Sequence, residues 1–348
     1  MKKNIVSMGI ISASEMAQAH MNGIKNNACA NLTAICDIEE KCLQGAGEKF
    51  GVDKLYLNYH EMLENSDIDA VIVCTPDYLH KEMTIAALKA GKHVLCEKPM
   101  AMNVSDCLDM IEAEKKYGKK LMIGQICRYT PGFVLAKKLI DAGRIGELFF
   151  VESEYAHDYS TAARGWNDWR VDSNRPREPY LGGGCHAVDL LRWIAGNPSE
   201  IMAYSNHKCL TDWPVDDCTI SMMKFPNNVI GKVFVSIGCK RDYTMRSVFY
   251  GTRGTIIADN TSPHLTVYDS QAQIFDDVHA RDLGIRYPVN INNHNTTGEI
   301  ESFVDAILND TAVSTPGYEG AATVAVCLAA VESAKCGKPI SIQYPPAK

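Results

Sequence analysis

The chain has no C-x-x-C pair although it carries 13 cysteines. Without ligands at that spacing a structural zinc site is not expected, and no metal is assigned. The cysteines are scattered and odd in number, and Cys74, Cys127 and Cys327 sit inside apolar runs. That pattern suits reduced, buried thiols in a cytoplasmic protein. No apolar stretch approaches the length of a membrane span, so no membrane partner is expected. The opening MKKNIVSMGIISASEMAQ lacks a small-residue cleavage site and reads as a first β-strand rather than a signal peptide. Positive charge is also in deficit: 35 Lys+Arg against 42 Asp+Glu leave a net charge of -7. This argues against nucleic acid, which favours a basic face. No internal repeat or low-complexity tract stands out. What remains is 348 residues at 46% hydrophobic and 22% charged, an ordinary globular composition too long for one core, so two domains are expected.

The first third alternates two periodicities. Apolar runs at 3–11, 31–36, 69–74, 93–96 and 121–124 are separated by helical patterns near 15–26, 38–49, 78–90 and 103–117. Short buried strands with helices between them predict a doubly wound parallel sheet, a Rossmann α/β domain over 1–125. Beyond it the pattern changes. A helix over 131–142 precedes strands at 147–157, 200–208, 216–225, 229–239, 245–251 and 254–259, with turn signals PNNVIG and GTRG between some of them. The helical stretch GGGCHAVDLLRWIAG interrupts the series, and helices at 296–309 and 318–335 close it. The expectation is an α+β domain over 126–348 with a large, mainly antiparallel open sheet.

Glycine is missing where a dinucleotide-binding turn would carry G-x-G-x-x-G/A. In MGIISASEMAQAH the first two positions are Ser12 and Ser14, and only Ala17 keeps the third. Such a turn aims backbone N–H groups and a helix dipole at a pyrophosphate, and a β-carbon at either serine crowds that approach. The same residues, Ser12-Ala13-Ser14-Glu15, also spell an S-x-x-E capping box. Asp37, about 20 residues beyond the helix start, stands where a carboxylate accepts the adenosine ribose hydroxyls and repels a 2′-phosphate. It could equally cap a helix starting at Ile38. Thr75-Pro76 ends the strand VIVCTP at the carboxyl edge of the sheet, where open α/β folds bind ligands. Glu97 and Lys98 emerge at the next strand end, with Pro99 keeping Lys98 out of the helical region.

The strand–helix order, with TPDYLH, AGKHVLCEKPMAMN, GGGCHAVDLLRW and the tail segments EIESFVDAILND and EGAATVAVCLAAVESAKCGKPI, resembles the glucose–fructose oxidoreductase/inositol dehydrogenase/MocA family over nearly the whole chain. The resemblance implies an NAD(P)-dependent dehydrogenase acting on a sugar, inositol or related polyol. In the family the lysine of the EKP motif, here Lys98, lies between the nicotinamide and the reacting hydroxyl. The histidine of the second-domain helix, here His186, acts as general acid/base. Around the cofactor the resemblance places Ser12, Ala13, Ser14, Glu15 and Met16 at the turn, then Asp37, Thr75, Pro76, His80 and Glu97. It adds the Trp169-Arg170 pair. Around the substrate it points to Arg128 and Tyr129 after the last Rossmann strand, to His157, to Asp168 and Asp172, and to Cys185 beside His186. The family pattern D-x-G-x-H-x-x-D is met by Gly184, His186 and Asp189, but its first position is Gly182. Asp168 or Asp172 is a candidate substitute for the missing acid.

Three functions follow. The leading one is an NAD-dependent oxidoreductase moving hydride between nicotinamide and a hydroxyl or keto carbon, with NAD preferred over NADP because of Asp37. The second keeps NAD bound through transient oxidation, elimination and re-reduction, as a glycosidase-like enzyme would. The third is a non-catalytic sugar-binding or regulatory homologue. Alternating strands such as GKVFVSIGCK leave one sheet face for another subunit, so a homodimer or homotetramer is expected.

Overall fold

The structure, a computed structural model, describes residues 4–160, 168–269, 284–291 and 294–346. The first stretch alternates β1 Val6–Ile11, α1 Glu15–Lys25, β2 Ala30–Cys36, α2 Glu40–Phe50, β3 Leu55–Tyr56, α3 Tyr59–Glu64, β4 Ala70–Val73, α4 His80–Lys89, β5 His93–Glu97, α5 Val104–Tyr117 and β6 Leu121–Gly124. The strands join in the order β3-β2-β1-β4-β5-β6, every pair parallel. This is the Rossmann order, with the reversal between β1 and β4 opening a crevice at the carboxyl ends of the strands. β4 and β6 are buried along their whole length, as strands covered on both faces must be. Helix ends carry their own signals: Asn103 caps α5 by accepting the Asp106 N–H, and Gly118 ends it in a left-handed conformation, φ 61°, which glycine adopts without steric cost.

The chain continues with α6 Pro131–Asp141, β7 Leu148–Ala156, α7 Pro179–Gly182, α8 Cys185–Ala195, β8 Glu200–Asn206, β9 Cys218–Lys224, β10 Ile230–Ser236, β11 Arg246–Gly251, β12 Gly254–Asp259, β13 His264–Asp269 and β14 Gly284–Pro288. It ends with α9 Thr296–Leu308, α10 Gly317–Cys336 and β15 Ile340–Ser341. The second sheet has nine strands in the order β14-β13-β12-β11-β7-β10-β9-β8-β15. Only β7 and β10 run parallel; the other pairs are antiparallel. The expected hairpins form at both turn signals, and at PNNVIG the turn places Asn227 and Asn228 at φ 58° and 61°. Asparagine tolerates that region better than most residues.

Two compact units result. The first holds residues 1–126, 295–324 and 345–348, and the second 127–294 and 325–344. The division thus differs from the two consecutive blocks 1–125 and 126–348. After the large sheet the chain returns, and α9 packs in the first unit on α1. The absence of a side chain at Gly23 permits this closeness, because a β-carbon there would meet Ile300 and the Thr296 carbonyl. Thr296 Oγ1 adds a hydrogen bond to the Ala19 carbonyl at 3.2 Å.

Candidate active site

Beyond β1 the chain turns through Ser12, Ala13 and Ser14 into α1. Ser12 has φ 118°, a conformation free to glycine and costing another residue about 1–3 kcal/mol. The backbone of a glycine turn is therefore kept with a serine in it. The cap of α1 is Ser14, whose Oγ accepts the Ala17 N–H at 3.4 Å. The capping box read from Ser12 to Glu15 does not form, because Ser12 lies two residues ahead of the cap. Glu15 is the exposed first helical residue, Met16 is half-buried and Ala17 is buried. Ser12 Oγ instead accepts the Ser14 N–H at 3.0 Å, and Asp37 Oδ2 accepts the Ala13 N–H at 2.6 Å. Two N–H donors of the turn, those of Ala13 and Ser14, thus have protein acceptors.

Asp37 also accepts the Glu39 N–H through Oδ1 at 2.9 Å. It caps no helix at Ile38: α2 begins two residues later, with Glu39 as its cap. Thr75 follows β4 with its hydroxyl buried and no hydrogen-bond partner. Such an orphan costs about 1–3 kcal/mol, and a bound polar group at this sheet edge would relieve it. With the carboxylate of Asp37 and the glycine-like turn, this makes the first unit a fit for a dinucleotide. Pro76 caps the short 3-10 turn Asp77–Leu79 that leads into α4.

His80 and Glu97, expected at the cofactor, are committed to the protein interior. His80 is fully buried, with Nδ1 2.8 Å from the Pro99 carbonyl and Nε2 3.0 Å from the Thr75 carbonyl. Carbonyl oxygens only accept, so both ring nitrogens donate and the ring is an imidazolium. Burial pushes its pKa down, but Cys96, Asp77 and the Pro99 carbonyl outweigh that and raise it to about 9. The cation ties two strand ends together. Glu97 closes β5 with Oε1 2.8 Å from His20 Nε2, and Oε2 accepts the Lys98 N–H at 2.9 Å. Lys98 is half-buried, precedes Pro99 through a cis peptide bond, and its ammonium makes no hydrogen bond among the described residues.

In the second unit His186 occupies the first turn of α8, buried among rings. Tyr155 stacks on it with centroids 6.1 Å apart, His294 lies at 6.0 Å, and its Nδ1 is 3.6 Å from Cys127 Sγ. Tyr155 shares a hydrogen bond with Tyr159 at 2.9 Å and a longer one with His157 Nδ1 at 3.4 Å. Tyr243 packs on Tyr155 and His157 at 5.5 and 5.2 Å. Burial pushes the Tyr155 and Tyr243 phenols well above their ordinary range, so both remain neutral donors. Burial also lowers His157, opposed by Asp158 and reinforced by Arg170. The result is a cluster of aromatic rings with polar tips, a composition that suits a ring bearing hydroxyls. Tyr155, Tyr243 and His294 carried no sequence signal: one is a β7 residue and two lie in loops without a motif.

Several expected substrate residues have other employment. Arg128 forms a bidentate pair with Asp189 of α8, both bonds 2.8 Å. Two fixed N–H groups match a carboxylate so well that the guanidinium serves α8. Cys185 is buried, its thiol directed at the Gly182 carbonyl. Asp172 Oδ1 accepts the backbone and side-chain N–H groups of Asn174 and so closes its own turn. Tyr129 is half-buried in the turn before α6. The Asp168 side chain lies outside the described residues. Arg170 lies over the Trp169 ring at 4.5 Å, and Arg177 approaches the same ring at 5.2 Å. Gly182 has a steric cause: a β-carbon there would overlap the buried Arg177 guanidinium. A side chain at 182 would require the Arg177 guanidinium, the far end of a flexible side chain, to move aside.

A family profile described as an oxidoreductase family with NAD-binding Rossmann fold matches residues 6–125, and the GFO/IDH/MocA C-terminal domain matches residues 133–257. The chain is 30% identical over 269 residues to the myo-inositol 2-dehydrogenase of Thermotoga maritima, covering 73% of this chain and 75% of that one. It is 27% identical over 258 residues to the inositol 2-dehydrogenase of Salmonella typhimurium, covering 73% and 72%. A solved levoglucosan dehydrogenase, in complex with NADH and L-sorbose, shares the fold at a TM-score of 0.87 and 24% identity, over 98% of this chain and 100% of that one. Both halves of the chain thus match, and the protein belongs to the Gfo/Idh/MocA family of NAD-binding oxidoreductases.

Proposed function

We propose that this protein is an NAD-dependent dehydrogenase that moves hydride between nicotinamide and a hydroxyl-bearing carbon of an inositol, sugar or sugar derivative. The observation that carries the substrate class is the ring cluster of Tyr155, His157, Tyr159 and Tyr243 beside His186. The inositol dehydrogenases among the relatives support the same class. In the oxidative direction His186 takes the hydroxyl proton, and Lys98 stabilises the developing alkoxide with an ammonium free for the purpose. Bound NAD supplies the hydride acceptor. Asp37, at the ribose end of the crevice, favours NAD over NADP by repelling a 2′-phosphate.

The test is NADH formation from a panel of myo-inositol, scyllo-inositol, D-chiro-inositol, levoglucosan and D-glucose, beside NADH titration followed by fluorescence. NADH accumulation with one of these is expected. Product formed without NADH would instead favour the redox-neutral alternative, for which glycine at 182, in place of the family's acid and beside the Arg177 guanidinium, is the supporting observation. No saturable NADH binding would leave only a non-catalytic role.

The protein acts as a homodimer or homotetramer in this reading. One face of the second sheet carries Tyr204 (66% exposed), Met222 (55%) and Ile220, with Tyr204 directly opposite Ile220 in the register. The apolar strip is flanked by Lys232 and Arg246 paired to Glu152, a mixed-charge border that a second copy of the same face complements. Light scattering of Met222→Lys tests it, a monomer being the expected result. The thirteen cysteines are free thiols, which supports a reducing, cytoplasmic setting. Among the described residues no helix is long and apolar enough to cross a membrane.

A further inference from the structure

Beneath Lys98 the first unit buries three ionisable side chains that the proposed chemistry does not use directly. His20 of α1 and Glu299 in the first turn of α9 have no exposed surface, and Glu97 has almost none. His20 Nε2 is 2.8 Å from Glu97 Oε1, while its Nδ1 faces Glu299 Oε2 at 3.9 Å. Glu97 Oε2 in turn accepts the Lys98 N–H at 2.9 Å. Both Glu299 oxygens are buried without a hydrogen-bond partner. The line Glu299–His20–Glu97–Lys98 therefore runs from α9 through α1 to the strand end that presents the ammonium.

Burial and mutual repulsion keep the two carboxylates from both being ionised: a second charge in this dry site, beside the first and without a hydrogen-bond partner, is unfavourable by several kcal/mol. Burial pushes Glu97 up, but its bond to His20, the Lys98 ammonium and the Lys98 N–H together hold it at about 2. Burial also pushes Glu299 well up, and the Glu97 charge adds to this. Glu97 thus keeps the negative charge, and Glu299 is a neutral acid facing His20 Nδ1. Stability alone does not call for such a group, because an apolar replacement of similar volume is often neutral or stabilising. Ionisable groups kept at this depth beside a reacting residue point to the reaction.

We propose that His20 and Glu299 are positioning residues for Lys98: His20 holds the Glu97 carboxylate that accepts the Lys98 N–H, Glu299 packs behind the ring at Nδ1, and together they fix the backbone from which the ammonium projects. α1 begins at the nucleotide turn, so the helix that starts at the cofactor's phosphate site also anchors the lysine at its reacting end. The inference rests on the assignment of Lys98 to the reacting oxygen.

The test uses the full chain and the member of the panel above that forms NADH fastest. His20→Gln is expected to lower kcat at least tenfold while the NADH Kd changes less than threefold. The primary deuterium isotope effect on kcat should rise as hydride transfer becomes limiting, which loss of folded enzyme would not produce. The double variant His20→Gln/Glu97→Gln should be no slower than Glu97→Gln alone, within twofold, because both act on one lysine. Glu299→Met should lower kcat, and Glu299→Gln, which resembles the neutral acid, should restore it to within threefold of the parent. Unchanged kcat in His20→Gln, multiplying losses in the double variant, or a loss matched by weaker NADH binding would overturn the proposal. Lys98→Ala separates the two readings: an active Lys98→Ala refutes the role of Lys98 itself. Independently of any substrate, infrared difference spectra of the protein against Glu299→Gln should show a protonated carboxyl at neutral pH. An ionised Glu299 contradicts the arrangement.

Discussion

Ser12→Gly should change the affinity of the turn for NADH more than it changes the stability of the fold. At φ 118° the serine is strained by about 1–3 kcal/mol, and glycine removes that strain. Two losses oppose the gain. The Oγ bond to the Ser14 N–H at 3.0 Å contributes about 0.5–1.5 kcal/mol, and the freer unfolded chain costs about 0.4–1 kcal/mol. The three effects nearly cancel, so the melting temperature should stay within about 4 °C of the parent. Binding behaves differently. In the parent the Ser14 N–H must leave Ser12 before it can serve a phosphate, whereas in the variant it is already available. The saving of about 0.5–1.4 kcal/mol corresponds to roughly twofold to tenfold tighter NADH binding. Fluorescence titration with NADH, paired with thermal unfolding with and without it, measures both quantities. Weaker binding by a folded variant would refute the reasoning, because the Ser12 hydroxyl itself would then be the phosphate's donor.

Three further outcomes are expected. Asp37→Ser should raise NADPH affinity relative to NADH at least tenfold, read by paired fluorescence titrations; an unchanged ratio would remove Asp37 from the ribose site. Arg128→Met removes the bidentate partner of the buried Asp189 carboxylate, to which Arg192 approaches only to 3.6 Å. It should cost about 3 kcal/mol, or roughly 6–12 °C of melting temperature, and a shift under 2 °C would show the pair to be inconsequential. His80 binds its proton more tightly folded than unfolded, about 9 against 6.5. Its stabilisation is therefore complete below pH 6.5, declines above it and is gone once pH passes about 9. Urea midpoints across pH 6–10 should fall more steeply for the parent than for His80→Gln, and parallel profiles would contradict the imidazolium.

The elements legible in the sequence were those with enough length to show a period. β1, β2, β4, β5 and β6 with their helices gave the Rossmann half, and the two turn signals gave hairpins. β3 and β15, two residues each, are too short for any alternation to register. α3 is a single six-residue helix, and β13 went unassigned although the turn-forming run Asp259–Pro263 precedes it. The helical pattern near 15–26 matches α1, which starts at Glu15. The S-x-x-E reading put its cap at Ser12 instead of Ser14, because the two serines are equally good caps by type. Only the backbone conformation at Ser12 separates them. Lys98 and His186, on which the proposed chemistry rests, were singled out because they stand at motif positions. Partners brought in by tertiary packing were not: His20, Glu97 and Glu299 meet across 77 and 202 residues of chain. Arg128, His80 and Asp172 were of the right chemical type for ligand contact, yet each satisfies a nearer protein group. A residue's capacity to bind says nothing of who reaches it first.

The central claim is that Lys98 and His186 act on the reacting hydroxyl while the turn at Ser12–Ser14 and Asp37 hold the cofactor. Single-turnover hydride transfer from a carbon-deuterated inositol or sugar to NAD measures this most directly. The parent should form deuterated NADH, whereas Lys98→Ala and His186→Asn should bind NADH with little change yet transfer hydride at least a hundredfold more slowly. Transfer at the parental rate by either variant would contradict the account.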